Sequence, residues 1–203
     1  MKLLEERILR DGQILPGDVL RVGHFLNQQM DVALMTEMGK EIARLYEGRG
    51  VTKVLTVEAS GIALAFAAAA QLGVPMVFAK KHASANMSPE VYSTTVASYT
   101  HGRTYQIVVA SEYITENDNI LLVDDFLAMG NALHGLIDLC EQGGARVEGI
   151  AVAIEKWYQK GGDTLRKQGY RVESLAKIRT LSATEGITFC ENRIKSRKAA
   201  FEE

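Results

Sequence analysis

Apolar spacing divides the chain into two kinds of segment. Residues 51–58 (VTKVLTVE), 75–81 (PMVFAKK), 120–124 (ILLVD) and 147–156 (VEGIAVAIEK) carry short, nearly unbroken apolar runs. Such runs mark strands buried on both faces, as in a parallel sheet. Between them, residues 61–73 (GIALAFAAAAQLG) and the stretch from Gly130 to Gln142 space their apolar positions as helices do, the second ending at Gly143–Gly144. A short helix near 161–168 leads into a further strand over 170–178. Residues 91–100 and 103–113 read as antiparallel strands joined through His101–Gly102.

Ahead of the first of these strands, residues 1–10 form an amphipathic helix ended by Asp11–Gly12, and residues 14–29 read as irregular. Asp31 is placed as an N-cap, and Leu34, Met35, Met38, Ile42 and Leu45 follow at helical spacing until Gly48 and Gly50 stop the helix. Repeated β-α-β order predicts an α/β fold, a mainly parallel sheet flanked by helices with right-handed crossovers. No internal repeat or linker breaks the chain, so one domain is expected, with its core over about residues 51–178.

The stretch ILLVDDFLAMGNALHGL, residues 120–136, carries the most chemistry. Four bulky apolar residues run into two adjacent carboxylates, Asp124 and Asp125, followed by a small-residue loop and a helix starting near Gly130–Asn131. Ligands of open α/β sheets bind at the carboxyl ends of the strands, and helix N-termini offer amide hydrogens to anions. Carboxylates that accept from hydroxyls beside such a cradle suit a sugar phosphate. A second strand end, Glu58, is followed by Ala59, Ser60 and Gly61 ahead of a helix, a tight turn suited to a diphosphate. Either turn could be a plain strand-to-helix connection, and the pair together favours the ligand.

Size and charge limit the alternatives. At 203 residues, with 47% hydrophobic and 24% charged residues, the chain suits one globular domain with an elaboration. A formal net charge of -2 argues against a general nucleic-acid binder. Cys140 and Cys190 lack metal-ligand spacing, which fits a reduced protein. MKLLEERILR is too charged for a signal peptide, and the most apolar window, 61–79, is broken by Gln71, Gly73 and Pro75. A soluble, cytoplasmic protein with no membrane or nucleic-acid partner is expected.

The 120–136 pattern resembles the donor loop of the type I phosphoribosyltransferases, which take 5-phosphoribosyl 1-pyrophosphate (PRPP) as donor. The resemblance covers nearly the whole chain, notably 19–31, 57–63, 123–136 and 154–163. It implies the type I phosphoribosyltransferase fold: a twisted, mainly parallel sheet, a small hood from the chain ends (1–50 plus a C-terminal part) and a mobile β-hairpin loop. It assigns Asp124 and Asp125 to the ribose as the catalytic pair, and Ala128, Met129, Gly130, Asn131 and Ala132 to the phosphate of PRPP. Pyrophosphate falls to Ala59, Ser60, Gly61 and Lys81, with a non-proline cis peptide within 58–60. The hood loop is placed over 82–105, with Ser98–Tyr99–Thr100 standing in the family's Ser-Tyr element. Mg²⁺ enters with PRPP or pyrophosphate rather than through a protein ligand cluster, and a homodimer is implied.

The acceptor follows from two departures. Many relatives that use 6-oxopurines carry an Asp where this chain has Ala128, and Thr where it has Met129. A missing loop carboxylate points to a base already acidic, and xanthine fits better than hypoxanthine or guanine. A cation favours an anionic base, and Lys156 ends a strand in position to supply it. By resemblance to the bacterial, xanthine-using members, Leu20, Asn27 and Lys156 form the base pocket. The plainer reading of Lys156 is a strand-end lysine paired with Glu155. Trp157 either stacks on the base or, more in keeping with its neighbours, packs at the edge; His24 is expected to pack in the hood and Cys140 in a helix core. The alternatives are transfer to guanine, hypoxanthine or adenine, and a PRPP-sensing regulator of the same fold.

Overall fold

The computed structural model describes residues 1–17, 19–82, 88–97 and 104–190. Helix α1 (Lys2–Asp11) is followed by a small antiparallel hairpin, β1 (Gln13–Leu15) and β2 (Val19–Arg21), and by a π-helical turn over Gly23–Asn27. The sequence gives no strand here, because three-residue strands are too short to set up an alternation. Helix α2 (Val32–Leu45) starts at Asp31, whose carboxylate accepts from the Leu34 amide at 3.1 Å, as its capping pattern predicts.

The central elements follow in turn: β3 (Lys53–Val57), α3 (Ile62–Leu72), β4 (Met76–Ala79), β5 (Val91–Ala97), β6 (Thr104–Ala110), β7 (Asn119–Leu127), α4 (Asn131–Gln142), β8 (Arg146–Lys156), α5 (Gly161–Lys167), β9 (Val172–Ser182) and β10 (Gly186–Phe189). Six strands form one sheet in the order β10-β9-β8-β7-β3-β4, parallel except for β10. β5 and β6 make the expected antiparallel hairpin, which reaches the sheet where the Lys80 and Val108 amides and carbonyls exchange hydrogen bonds of 2.8 Å. Its junction, with Ser98–Tyr99–Thr100 and His101, lies outside the described residues, as does the tail beyond residue 190.

Two strand boundaries differ from the sequence reading. β7 continues three residues beyond Asp124, so the acidic pair lies within the strand. β9 runs on to Ser182 and turns at Gly186 into β10, which a four-residue run of mixed polarity did not reveal.

Two apolar clusters cover the two faces of the sheet. One joins α1, α2 and α3 to Leu121, Val123 and Ile154. The other joins α4 and the β5–β6 hairpin to Ile120, Leu122 and Val152. α2 and α3 approach so closely that a Cβ on Gly39 would lie 2.6 Å from the Ala67 carbonyl oxygen. His24 is exposed, contrary to expectation; Phe25 and Leu26 fill the hood core beside it. Cys140 is fully buried on α4, and burial raises its thiol pKa to about 12.

Candidate active site

The carboxyl ends of β3, β4, β7 and β8 lie side by side, so the loops that follow them share one crevice. Within β7, Val123 belongs to the helix-side cluster and Leu122 to the hairpin-side cluster. Strand alternation starts the Asp124 and Asp125 side chains off opposite faces, yet both carboxylates reach the Ser60–Gly61 turn, where Asp125 accepts from Ser60 and Asp124 Oδ1 lies 3.0 Å from the place of a Gly61 Cβ. Both carboxylates are almost buried, at 5% and 6% exposure.

Asp125 turns toward the hood. The Asn27 Nδ2 donates to its Oδ2 at 2.8 Å, and the Ser60 hydroxyl donates to its Oδ1 at 3.0 Å. Three segments far apart in sequence thus converge on one carboxylate, a partnership the sequence did not reveal. Asp124 accepts from the Asp125 amide at 3.0 Å. Burial, then the charge of Asp125, pushes its carboxyl well above the usual carboxylate range, and the Lys81 ammonium offsets part of this. Asp124 also acts on Tyr105, whose hydroxyl pKa is raised by burial and by that charge. The Lys81 ammonium sits 5.2 Å from the centre of the Tyr105 ring. Tyr105, expected in the 103–113 strand and at the end of the hood loop without a role in the site, is a neighbour of it.

The turn after β3 holds its predicted small residues for a steric reason. A Cβ on Gly61 would lie 2.1 Å from the Thr56 hydroxyl and 3.0 Å from Asp124 Oδ1. The cis peptide falls at Glu58–Ala59, within the expected span. Glu58 accepts from the Lys81 amide at 2.6 Å and so ties the turn to the end of β4. Ala59 and Lys81 are exposed and Ser60 half-buried.

The turn after β7 is built for amide exposure. Gly130 has φ 88, a left-handed conformation that glycine adopts without strain. Among the described residues no side chain caps α4, so its first amide hydrogens open toward the loop. Met129 points outward at 46% exposure. Asn131 donates to the Ala97 carbonyl at 3.0 Å, linking the loop to the end of β5. Ala128 and Ala132 are half-buried beside it.

At the end of β8 the two adjacent residues part company. Glu155 is 1% exposed and bound by both Arg166 guanidinium nitrogens, at 2.8 and 2.7 Å, and by the Ser174 hydroxyl. Burial opposes its ionisation, but these hydrogen bonds and the Arg166 charge prevail and hold its carboxyl below the usual range. The Lys156 ammonium instead lies over the Phe126 ring, 6.0 Å from its centre. The Trp157 ring is covered by Lys160, Arg166 and Lys177 at 5.2–5.7 Å, which suits edge packing. The Leu20 side chain is buried in the helix-side cluster, leaving its backbone as the part that could meet a ligand. Two residues absent from the sequence reading emerge here: Phe126 beneath Lys156, and Gly161, whose amide donates to the Ala128 carbonyl at 3.2 Å.

Among the described residues no group of three or more His, Cys, Asp or Glu converges. Nor is any described helix long and apolar enough to cross a membrane.

Comparison with known proteins agrees with this geometry. The phosphoribosyl transferase domain model matches residues 25–185. Xanthine phosphoribosyltransferase of Bifidobacterium longum subsp. infantis is 51% identical over 93% of this chain and 99% of its own. The proteins of that name from Finegoldia magna and Bacillus mycoides are 48% and 49% identical, over 88% and 89% of this chain and 94% and 92% of theirs. Adenine phosphoribosyltransferase of Trypanosoma brucei, solved with AMP, pyrophosphate and ribose-5-phosphate, superposes with a TM-score of 0.73 at 16% identity, covering 98% of this chain and 88% of its own. The Giardia lamblia enzyme with 9-deazaadenine gives 0.66 at 28% identity, over 72% and 81%. A sheet of this order, carrying an acid pair and two strand-to-helix turns at the carboxyl ends of its strands, has the type I phosphoribosyltransferase fold, and the chain belongs to the phosphoribosyltransferase family.

Proposed function

We propose that this protein transfers the 5-phosphoribosyl group from PRPP to xanthine, giving xanthosine 5′-monophosphate and pyrophosphate in purine salvage. The observation that carries the reading is the convergence of Asn27 and Ser60 on the Asp125 carboxylate, which draws the Gly23–Asn27 turn, the turn after β3 and the acid pair of β7 together.

In this reading Asp124 and Asp125 accept from the ribose hydroxyls, and the amides of 128–132 hold the 5′-phosphate. Ala59, Ser60, Gly61 and Lys81 hold the pyrophosphate. Lys81 neutralises charge on the leaving group, where charge develops as the anomeric bond to pyrophosphate breaks and the bond to a purine nitrogen forms. Mg²⁺ brought in with PRPP or pyrophosphate would supply further neutralisation of the leaving group, and Asp124 and Asp125 are the residues that would help hold it. Leu20 (through its backbone), Asn27 and Lys156 receive the base, with the Lys156 ammonium favouring its anion. The assembly is a cytoplasmic homodimer of single-domain protomers.

Pyrophosphate release, followed for a panel of purines at fixed PRPP and Mg²⁺, tests the proposal. Xanthine should give the highest kcat/KM. Preference for adenine would reassign the base pocket, and no release with any purine would favour a PRPP-sensing role.

A further inference from the structure

An anion-binding loop can turn its amides to the ligand only if its carbonyls are satisfied on the opposite side. Two carbonyls of the 128–132 loop are taken up from behind. The Gly161 amide donates to the Ala128 carbonyl at 3.2 Å. His134, in the first turns of α4, donates its backbone amide and its ring Nδ1 to the Gly130 carbonyl, both at 2.9 Å. A carbonyl only accepts, so Nδ1 carries the proton. The other ring nitrogen then accepts; it lies 3.1 Å from Oε1 of Gln168, the residue that ends α5, and a hydrogen bond forms there with the Gln168 amide group turned to present its nitrogen. The α5 segment therefore grips the loop twice, directly at Ala128 and through His134 at Gly130.

The two glycines that open α5 are both buried, and neither has positive φ, so space rather than backbone conformation excludes a side chain. They face different neighbours. A Cβ on Gly161 would lie 2.3 Å from the Ala128 carbonyl oxygen and 2.8 Å from the Gly130 nitrogen, against loop backbone. A Cβ on Gly162 would lie 1.9 Å from Glu155 Oε1 and 2.7 Å from Arg166 Nη1, against the ion pair just before Lys156.

We propose that Gly161, Gly162 and His134 are positioning residues for phosphoribosyl transfer: Gly161 and His134 set the donor loop, Gly162 sets the base end of β8, and the turn between them fixes the spacing of the two substrates. This rests on the function proposed above. Gly161→Ala should raise KM for PRPP about tenfold and leave that for xanthine within about threefold, since small misplacements of a binding group carry large kinetic costs. Gly162→Ala should do the reverse.

A purely structural role would lower Tm and the active fraction while leaving both KM values in place. That result, or a joint rise of both values, would overturn the proposal. Should the alanine variants fail to fold, the decision passes to His134→Ala and the exposed Gln168→Ala. Each should weaken PRPP but not xanthine, and an unchanged PRPP KM in both refutes the idea. If the native protein turns over no purine, the proposed function fails by itself. The calorimetric affinity for PRPP with Mg²⁺ across the same variants then decides the positioning claim separately.

Discussion

Replacing Asp124 by Asn should make the ligand-free protein more stable while crippling it as a transferase. Asp124 is 5% exposed, stands beside a second carboxylate and has its pKa raised, first by burial and then by the Asp125 charge. Asn has the shape of the protonated acid and keeps an oxygen for the Asp125 amide, 3.0 Å away in the native protein. Each unit of pKa elevation corresponds to about 1.4 kcal/mol against the charged form. Asn removes the cost of holding that charge, so the variant should melt above the native protein at neutral pH, each kcal/mol gained moving Tm by about 2–4 °C for a chain of this size.

The sign of the pH dependence is fixed by the same argument. A carboxyl with raised folded pKa contributes stability that is complete below its unfolded value, about 3.9, and is lost as pH rises through the folded one. The native protein and the variant should thus unfold alike near pH 4 and separate progressively toward neutrality. Loss of a charged acceptor for a ribose hydroxyl is worth about 1.5–3 kcal/mol, or roughly ten- to a hundredfold in kcat/KM. Denaturation curves at several pH values, paired with pyrophosphate release, measure both effects. A variant no more stable than the native protein at pH 7.5, or a gap that persists undiminished at pH 4, would refute the reasoning.

Other consequences can be checked alongside. The double variant Asp124→Asn with Asp125→Asn should lose turnover and keep its circular dichroism spectrum; retained activity removes both acids from the ribose site. Lys156→Ala should weaken xanthine far more than PRPP, and equal losses in the two KM values would take Lys156 out of the base pocket. Glu155→Ala strands the half-buried Arg166 without its carboxylate and should cost about 3 kcal/mol in urea unfolding; a loss below 1 kcal/mol counts against a structural ion pair. Cys140, with its thiol pKa raised to about 12, should resist alkylation at pH 8 until the protein is unfolded, and rapid labelling of the native state would show that α4 opens.

The apolar spacing was enough to place the parallel core, because a strand buried on both faces must be apolar throughout and a helix on its surface must repeat every three or four residues. The Asp31 cap, the hairpin over β5 and β6, the acid pair and both small-residue turns were legible for similarly local reasons, and family resemblance put the cis bond near Glu58. Three-residue β1 and β2 and the mixed-polarity β10 left no such imprint, since pairing across space rather than spacing along the chain makes them strands.

The site divides the same way. The sequence pattern singled out Ser60 and Asp125, family resemblance named Asn27 and Lys156, and tertiary structure decided their partners. Chain crossings bring Asn27 and Ser60 onto Asp125, join Glu155 to Arg166, and press Gly161 against the donor loop. Local pattern determined which residues could do chemistry, because it follows from each side chain and its nearest neighbours. Burial, charge coupling and steric exclusion depend on atoms contributed by distant segments, and only the folded chain supplies those.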